Sequence, residues 1–443
     1  MPLVAAPPAD VDHNPVTPNS MTPAAESAEL AQWLARIEHG HPRAIDLGLD
    51  RVRAVWRALG APPPARRVIT VAGTNGKGSV VRDLESVLLA AGRRTGVYTS
   101  PHLRRYNERV RIAGREVDDA ALIAAFEQIE AARGALTLTY FEYGTLAALW
   151  LFAAADLEVA VLEVGMGGRL DAVNIIDPDI AVITAIGLDH QQWLGRDRDA
   201  IGREKAGIVR PGRPVVLVDR EPPSGLLAAA TAAGARLYRL GVEFDTEPAA
   251  SGWRYRALDG THRTLPAPAL RGRHQFDNAA GALAALELLA PGRPLDSALL
   301  AAGLGAATLA GRFQQLAEQP EIIVDVAHNP PALSRLAATL AEYPAAGRTL
   351  AVFAMLADKD LVASAIALAP AIDAWYLAPL PPPRGATLEQ MASALTAAGI
   401  GAPRQALQSV SAALHAARRA AGPGDRIIAC GSFLTAQAVL AGC

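Results

Sequence analysis

The segment Val68-Ile69-Thr70-Val71-Ala72-Gly73-Thr74-Asn75-Gly76-Lys77-Gly78-Ser79 constrains the fold more than any other. Its first half is a short run with no polar alternation, so a strand there must be covered on both faces. Its second half is a glycine-rich turn, and helical spacing begins at Ser79. A strand that feeds such a turn and then a helix aims backbone N–H groups and the positive helix end at one spot. That is the physical requirement for holding nucleotide phosphates, through Gly73, Thr74, Asn75, Gly76, Lys77, Gly78 and Ser79. The loop departs from the general G-x-x-x-x-G-K-[ST] pattern. Val71 stands where the first glycine belongs, and Gly78 separates Lys77 from Ser79.

Lys77 carries information of its own. The chain has 42 basic residues, and only Lys77, Lys205 and Lys359 are lysines. Arginine is a planar fork that stays charged, whereas lysine is a compact charge that sheds its proton when buried.

An α/β rhythm follows the loop. Apolar runs predict strands over 68–72, 95–99, 159–164, 180–186 and 215–218, with helical patterns over 79–91, 118–133, 144–155 and 279–289. Such alternation implies a parallel sheet with helices on both faces. The texture changes between 238 and 268, where alternating residues and tight turns predict a small antiparallel hairpin. A second α/β series has strands expected at 322–326, 350–355, 375–377 and 426–430. The expected organisation is a disordered tail over 1–28, a P-loop-type central domain over 29–309 and a smaller Rossmann-like domain over 310–443.

Composition excludes several classes of function. The 42 basic and 44 acidic residues leave a net charge of −2, so no basic field serves nucleic acid or an anionic membrane. No apolar run approaches the roughly 20 residues of a membrane span. Two cysteines, Cys430 and Cys443, argue against a disulfide framework and suit the cytoplasm.

Three segments widen the reading: the loop itself, Thr99-Ser100-Pro101-His102-Leu103 and Glu163-Val164-Gly165-Met166-Gly167-Gly168-Arg169-Leu170-Asp171. With Leu138-Thr139-Tyr140-Phe141-Glu142 and Asp325-Val326-Ala327-His328-Asn329-Pro330, they closely resemble the ATP-dependent Mur-type amide ligases, specifically the folylpolyglutamate and dihydrofolate synthases. The resemblance runs from about Ile45 to Ser432 and implies a cleft between two α/β domains in a monomer.

The residues allow part of the site to be argued directly. Glu163 ends an apolar strand, where ligand crevices of parallel sheets lie, and a carboxylate near triphosphate suits Mg²⁺. His190 follows another strand. The resemblance implies that Ser100, Glu163 and His190 coordinate metal, with two Mg²⁺ expected. Ser79 competes with Ser100 for the first of them. It also implies that Lys205 carries CO₂ as a carbamate. Only an unprotonated amine can do so, and burial would supply one. By the same resemblance Asn278, expected to open a helix, reaches ATP together with Arg312, Asp325 and His328. Asp46, Gly48, Leu49, Thr139, Tyr140, Phe141, Glu142, Leu170, Asp171 and Ala172 carry the pterin side, and Ser432 belongs to the glutamate side. Two placements of Lys359 stay open: against glutamate or phosphate, or in a solvated cluster with Asp358 and Asp360.

The chemistry expected of the whole is amide synthesis. ATP phosphorylates a substrate carboxylate, and the amine of L-glutamate displaces phosphate. The substrates implied are dihydropteroate and tetrahydrofolate. A monofunctional folylpolyglutamate synthase is the near alternative. A P-loop phosphotransferase or a non-catalytic ATP-binding module would leave the second domain unexplained.

Overall fold

The computed structural model describes residues 26–249, 251–292 and 295–442. The tail expected over 1–28 therefore lies outside the described residues as far as residue 25. Its last part is ordered, which corrects that boundary: Ser27 caps the helix Ala28–His39, and Glu26 accepts a hydrogen bond from the Tyr106 amide.

The first sheet has eight strands: β1 (Arg67–Ala72), β2 (Thr95–Tyr98), β3 (Val110–Ile112), β4 (Arg115–Glu116), β5 (Val159–Glu163), β6 (Ile180–Thr184), β7 (Pro214–Val218) and β8 (Arg236–Arg239). Their order is β4-β3-β2-β5-β1-β6-β7-β8, and every pairing is parallel except β2 with β3 and β3 with β4. The apolar runs explain the sheet. Along β5, Val159 and Val161 pack against the helices Lys77–Ala90 and His274–Leu289, while Ala160 and Leu162 pack against Asp119–Arg133 and Tyr140–Ala154. Successive side chains leave opposite faces, and both faces are covered, so no polar residue is needed within the strand.

Residues 238–268 form three antiparallel strands rather than a single hairpin: β9 (Asp245–Pro248), β10 (Trp253–Arg256) and β11 (His262–Leu265). Tyr238 belongs instead to β8 of the large sheet. Trp253 stacks on Phe276, with ring centroids 5.7 Å apart, and seats this flap on the helix His274–Leu289.

The second sheet contains β12 (Gln314–Glu318), β13 (Glu321–Val324), β14 (Thr349–Phe353), β15 (Ala374–Leu377), β16 (Arg404–Ala406) and β17 (Arg426–Cys430). Its order is β12-β13-β17-β14-β15-β16, antiparallel only between β12 and β13. It too is buried on both faces: Leu350 and Val352 point to one core, Ala351 and Phe353 to the other. Leu103, from the loop after β2, is buried in the core of this second sheet, so the two α/β units share apolar surface. Among the described residues no helix is long and apolar enough to cross a membrane.

Candidate active site

The carboxyl ends of β1, β2, β5 and β6 converge. Register sets Glu163 beside Val71, two residues before Gly73 opens the phosphate loop. Thr74 anchors that loop: its amide donates to Ala185 O (2.9 Å), and its hydroxyl donates to Gly187 O (3.1 Å) while accepting from the Gly187 amide (3.0 Å). Gly76 precedes the helix Lys77–Ala90 in a left-handed conformation and supplies no side-chain cap. The first-turn amides of that helix are thus unclaimed by a capping side chain, the arrangement anions use. Lys77 folds back over the loop and donates to Gly73 O (3.1 Å) and Thr74 O (3.3 Å). Burial lowers its pKa, the charge of Arg312 adds to this, and Glu163 opposes it.

Glu163 is buried and accepts from the Ser100 amide (3.2 Å). Burial raises its pKa, against Lys77 and the Ser100 N–H. His190 has a left-handed backbone (φ 50°) and a pKa lowered to about 4, chiefly by burial against the opposing pull of Asp189. Its imidazole is neutral at pH 7 and keeps a lone pair for a metal. Lys205 ends the helix Arg198–Lys205 and is only 4% exposed. Burial first, then the charge of Lys77, brings its pKa down to about 7. Its neighbour Glu204 turns outward to Arg169 (2.9 Å) and does not accompany Lys205 into the interior.

The second unit closes over these groups. A cavity of about 570 Å³ is lined by Gly73–Gly78, Ser100, Glu163, His190 and Lys205 from the first unit. Arg312, His328, Lys359, Arg384 and Ser432 line it from the second. An adjoining chamber of about 40 Å³ collects Gly76, Ser79, Asn278, Arg312 and Asp325. Asn278 packs on the loop there: a Cβ added to Gly76 would come within 2.7 Å of its Oδ1. Asn278 lies in the second turn of the helix His274–Leu289 and does not open it. Asp325 accepts from the amides of Phe313 and Ala327, each at 2.8 Å, and so shapes the turn that presents Arg312.

Comparison with known proteins decides the family. The chain matches the Mur ligase middle domain over residues 71–286 and the Mur ligase glutamate ligase domain over residues 311–433. It is 48% identical over 419 residues to the dihydrofolate synthase/folylpolyglutamate synthase of Escherichia coli K12, covering 95% of this chain and 96% of that one. The chain belongs to the dihydrofolate synthase/folylpolyglutamate synthase family. This is a family of ATP-dependent ligases. The structure of Escherichia coli FolC in complex with DHPP and ADP matches with a TM-score of 0.88 at 46% identity, over 95% of this chain and 99% of that one. A bifunctional folylpolyglutamate synthase/dihydrofolate synthase with Mn, AMPPNP and L-glutamate bound matches at 0.86 and 45%, over 95% and 99%.

In this dihydrofolate synthase/folylpolyglutamate synthase family member, the residues expected on the pterin side lie outside the main cavity's lining. Several use their side chains on the fold. Thr139 and Glu142 form a reciprocal cap on the helix Tyr140–Ala154, and Glu142 also pairs with Arg51 (3.0 Å). Asp46 is held by Arg51 (2.7 Å), close before Gly48 and Leu49 at the start of the helix Asp50–Ala58. Asp171 accepts from the amides of Met166 (2.9 Å) and Val173 (3.0 Å) and caps the turn containing Ala172, just after Leu170. Burial raises the Asp171 pKa to about 6. Phe141 packs against cavity-lining Gly165, where an added Cβ would meet its ring at 2.6 Å, and Tyr140 packs edge-on against Tyr106.

Lys359 lines the cavity. Its ammonium is buried on Asp189, not solvated beside Asp358 and Asp360. Asp189 also accepts from Asn329 Nδ2 (2.9 Å) and faces His328 Nε2 (3.3 Å). Burial would raise its pKa, but the His328 hydrogen bond and the Lys359 charge hold it well below the usual carboxylate range. Sequence reasoning passed over Asn329, although it sits inside the segment Asp325–Pro330, and Asp189, the residue before His190. His102 lies inside the segment Thr99–Leu103 and was passed over likewise, whereas Arg109 and Arg384, which also line the cavity, gave no signal beyond residue type.

Proposed function

We propose that this chain joins L-glutamate to dihydropteroate, giving dihydrofolate, and then extends tetrahydrofolates by γ-linked glutamates, acting as a cytoplasmic monomer. One observation carries the reading. The phosphate loop, the Glu163–Ser100–His190 donor set, buried Lys205 and the cationic groups of the second unit all line one cavity.

A carboxylate acylates an amine poorly because its leaving group would be oxide. In this reading its oxygen attacks the terminal phosphorus of ATP, ADP departs, and an acyl phosphate forms. Lys77 and the loop amides stabilise the charge that builds on the phosphoryl oxygens. The unprotonated α-amine of glutamate then attacks the acyl carbon. The tetrahedral adduct expels inorganic phosphate, the amine proton leaves, and an amide remains. The enclosing second unit keeps water from the acyl phosphate. No protein nucleophile is required, and Cys430 is buried.

The donor set fits magnesium. Among the described residues no three His, Cys, Asp or Glu side chains gather as a metal site. Ser100, Glu163 and neutral His190 would instead hold ions whose remaining ligands are phosphate oxygens and water, as Mg²⁺ prefers. Bound there, the ions would neutralise phosphate charge. Buried Lys205, half unprotonated near neutrality, suits carbamate formation: the amine nitrogen bonds CO₂ carbon and one proton is released.

Phosphate release from ATP tests the reading, measured with dihydropteroate or tetrahydrofolate and with or without glutamate. The expected result is turnover with either acid only when glutamate is present. Glutamate-independent turnover would overturn ligation. Turnover with tetrahydrofolate alone would remove the dihydrofolate synthase half.

A further inference from the structure

Arg109 is a buried guanidinium with no carboxylate partner. It is 8% exposed, lines the main cavity, and pairs with no Asp or Glu among the described residues. Its one side-chain hydrogen bond runs from Nε to His102 Nδ1 (2.9 Å). In that bond the ring nitrogen is the acceptor, because a guanidinium can only donate. The guanidinium lies over the rings of Tyr106 (5.2 Å) and Tyr140 (5.5 Å). It is therefore fixed in place by aromatic faces and a neutral acceptor, which leaves its two terminal N–H₂ groups for a ligand. A buried charge without a counter-ion is costly, and a bound anion would offset that cost.

The neighbours say which anion. ATP phosphates already have the loop, Lys77 and Arg312 on the second-unit side. Arg109 ends the one-turn helix Tyr106–Arg109 and lines the same cavity as Ser100 and Glu163. Around it are Tyr106 and Tyr140, and Phe141 lies next along the same helix. Half-buried Tyr140 and Phe141, the latter just behind the cavity wall at Gly165, together with a planar two-pronged cation match a carboxylate attached to a flat ring. We propose that Arg109 receives the aryl carboxylate of the dihydropteroate-type acid and holds it for attack on the terminal phosphate. This rests on the substrate class proposed above.

The test compares equilibrium binding of dihydropteroate and its carboxamide, which keeps the shape and loses the charge. Binding is measured with magnesium and an unhydrolysable ATP analogue, on the wild type, Arg109→Met and Arg109→Lys. The wild type should prefer the acid by about 30-fold or more, as expected for a desolvated charge pair. Arg109→Met should prefer it by less than about threefold, with Arg109→Lys between. Affinity for the ATP analogue should stay within about twofold throughout, since Arg109 bonds His102 and no residue of the phosphate loop. Undiminished acid preference in Arg109→Met overturns the assignment of Arg109 alone, as does a fall in nucleotide affinity equal to the fall in acid affinity. If Arg109→Met does not fold, Arg109→Lys decides, because it keeps charge without the two-pronged geometry: unchanged acid preference there overturns the assignment. A wild type that binds neither compound overturns the substrate class, and the Arg109 assignment with it.

Discussion

Asn75 and Asn329 hydrogen-bond each other in both directions across the cleft. Asn75 Nδ2 donates to Asn329 Oδ1 (3.0 Å), and Asn329 Nδ2 donates to Asn75 Oδ1 (3.2 Å). The phosphate loop is thereby tied to the head of the helix Pro330–Glu342, whose first turn Asn329 also caps through the Ala332 amide (3.0 Å). The same Asn329 reaches Asp189, on which Lys359 and His328 of the second unit also converge. One amide thus couples nucleotide loop, second unit and strand end.

Asn329→Asp separates this coupling from helix capping. The variant keeps an oxygen for the Ala332 amide but loses both amide donors and sets a carboxylate against Asp189. Expected are a thermal midpoint within a few degrees of wild type and kcat lower by about tenfold or more, from two lost buried hydrogen bonds at roughly 1 kcal/mol each. Equal activity would show that the cleft closes without this contact.

Gly73 is a second point where geometry predicts outcome. Its φ is +147°, and an added Cβ would lie 1.8 Å from Thr184 Oγ1 and 3.0 Å from the Thr184 amide nitrogen. Rotation of the Thr184 side chain cannot relieve the backbone contact. Gly73→Ala must move the loop, so ATP affinity should fall by about 100-fold or more, given a strain of 2–3 kcal/mol or above. Isothermal titration with an ATP analogue reads this directly. Thr184→Ala should not restore binding fully, because the strained φ remains.

Glu163→Gln should trade activity for stability. Burial raises the Glu163 pKa in the folded protein, so its charged form is disfavoured there and costs stability above the unfolded value. An uncharged amide removes that cost and one metal ligand together. The expected outcome is a melting temperature equal to or above wild type in metal-free buffer, with ligation abolished. A clear fall in melting temperature would show that the carboxylate is held by more than the Ser100 amide and the charge of Lys77.

Legibility followed range in the chain. Val68–Val71 and Val159–Leu162 could be read as strands because burial on both faces leaves a local apolar signature. β3 and β4 could not: Val110–Ile112 and Arg115–Glu116 are five residues in all, three of them charged, and they form because β2 offers an open edge. The helix at 274 begins four residues before Asn278, in a first turn where Phe276 stacks on Trp253 and Asp277 accepts from Thr246 of the flap, contacts that local pattern does not contain. The placement of Lys359 depends on Asp189, 170 residues away, so its flanking aspartates pointed the wrong way. Thr139 and Glu142 form a capping box, which uses the same residue types as a binding motif, so residue type alone does not separate the two roles.

Lys205 gives the sharpest pH test. An exposed lysine titrates near 10.5, and burial brings this one to about 7. Between those values the unfolded chain holds a proton that the folded chain has released, so stability rises with pH across the window and is flat below it. Lys205→Met should remove that rise, measurable as the difference in melting temperature between about pH 7 and pH 9. Activity should follow a different variable. If the neutral amine takes up CO₂, stripping CO₂ from the buffer lowers wild-type turnover and bicarbonate restores it, most strongly just below pH 7, where free amine is limiting. In Lys205→Met bicarbonate should change nothing. Wild-type turnover indifferent to CO₂ across this range, with a bare amine mass on Lys205 under native conditions, would show that the lysine acts as a cation. The stability profile would stand regardless, because it depends only on the lowered pKa of the amine, set by burial and the charge of Lys77.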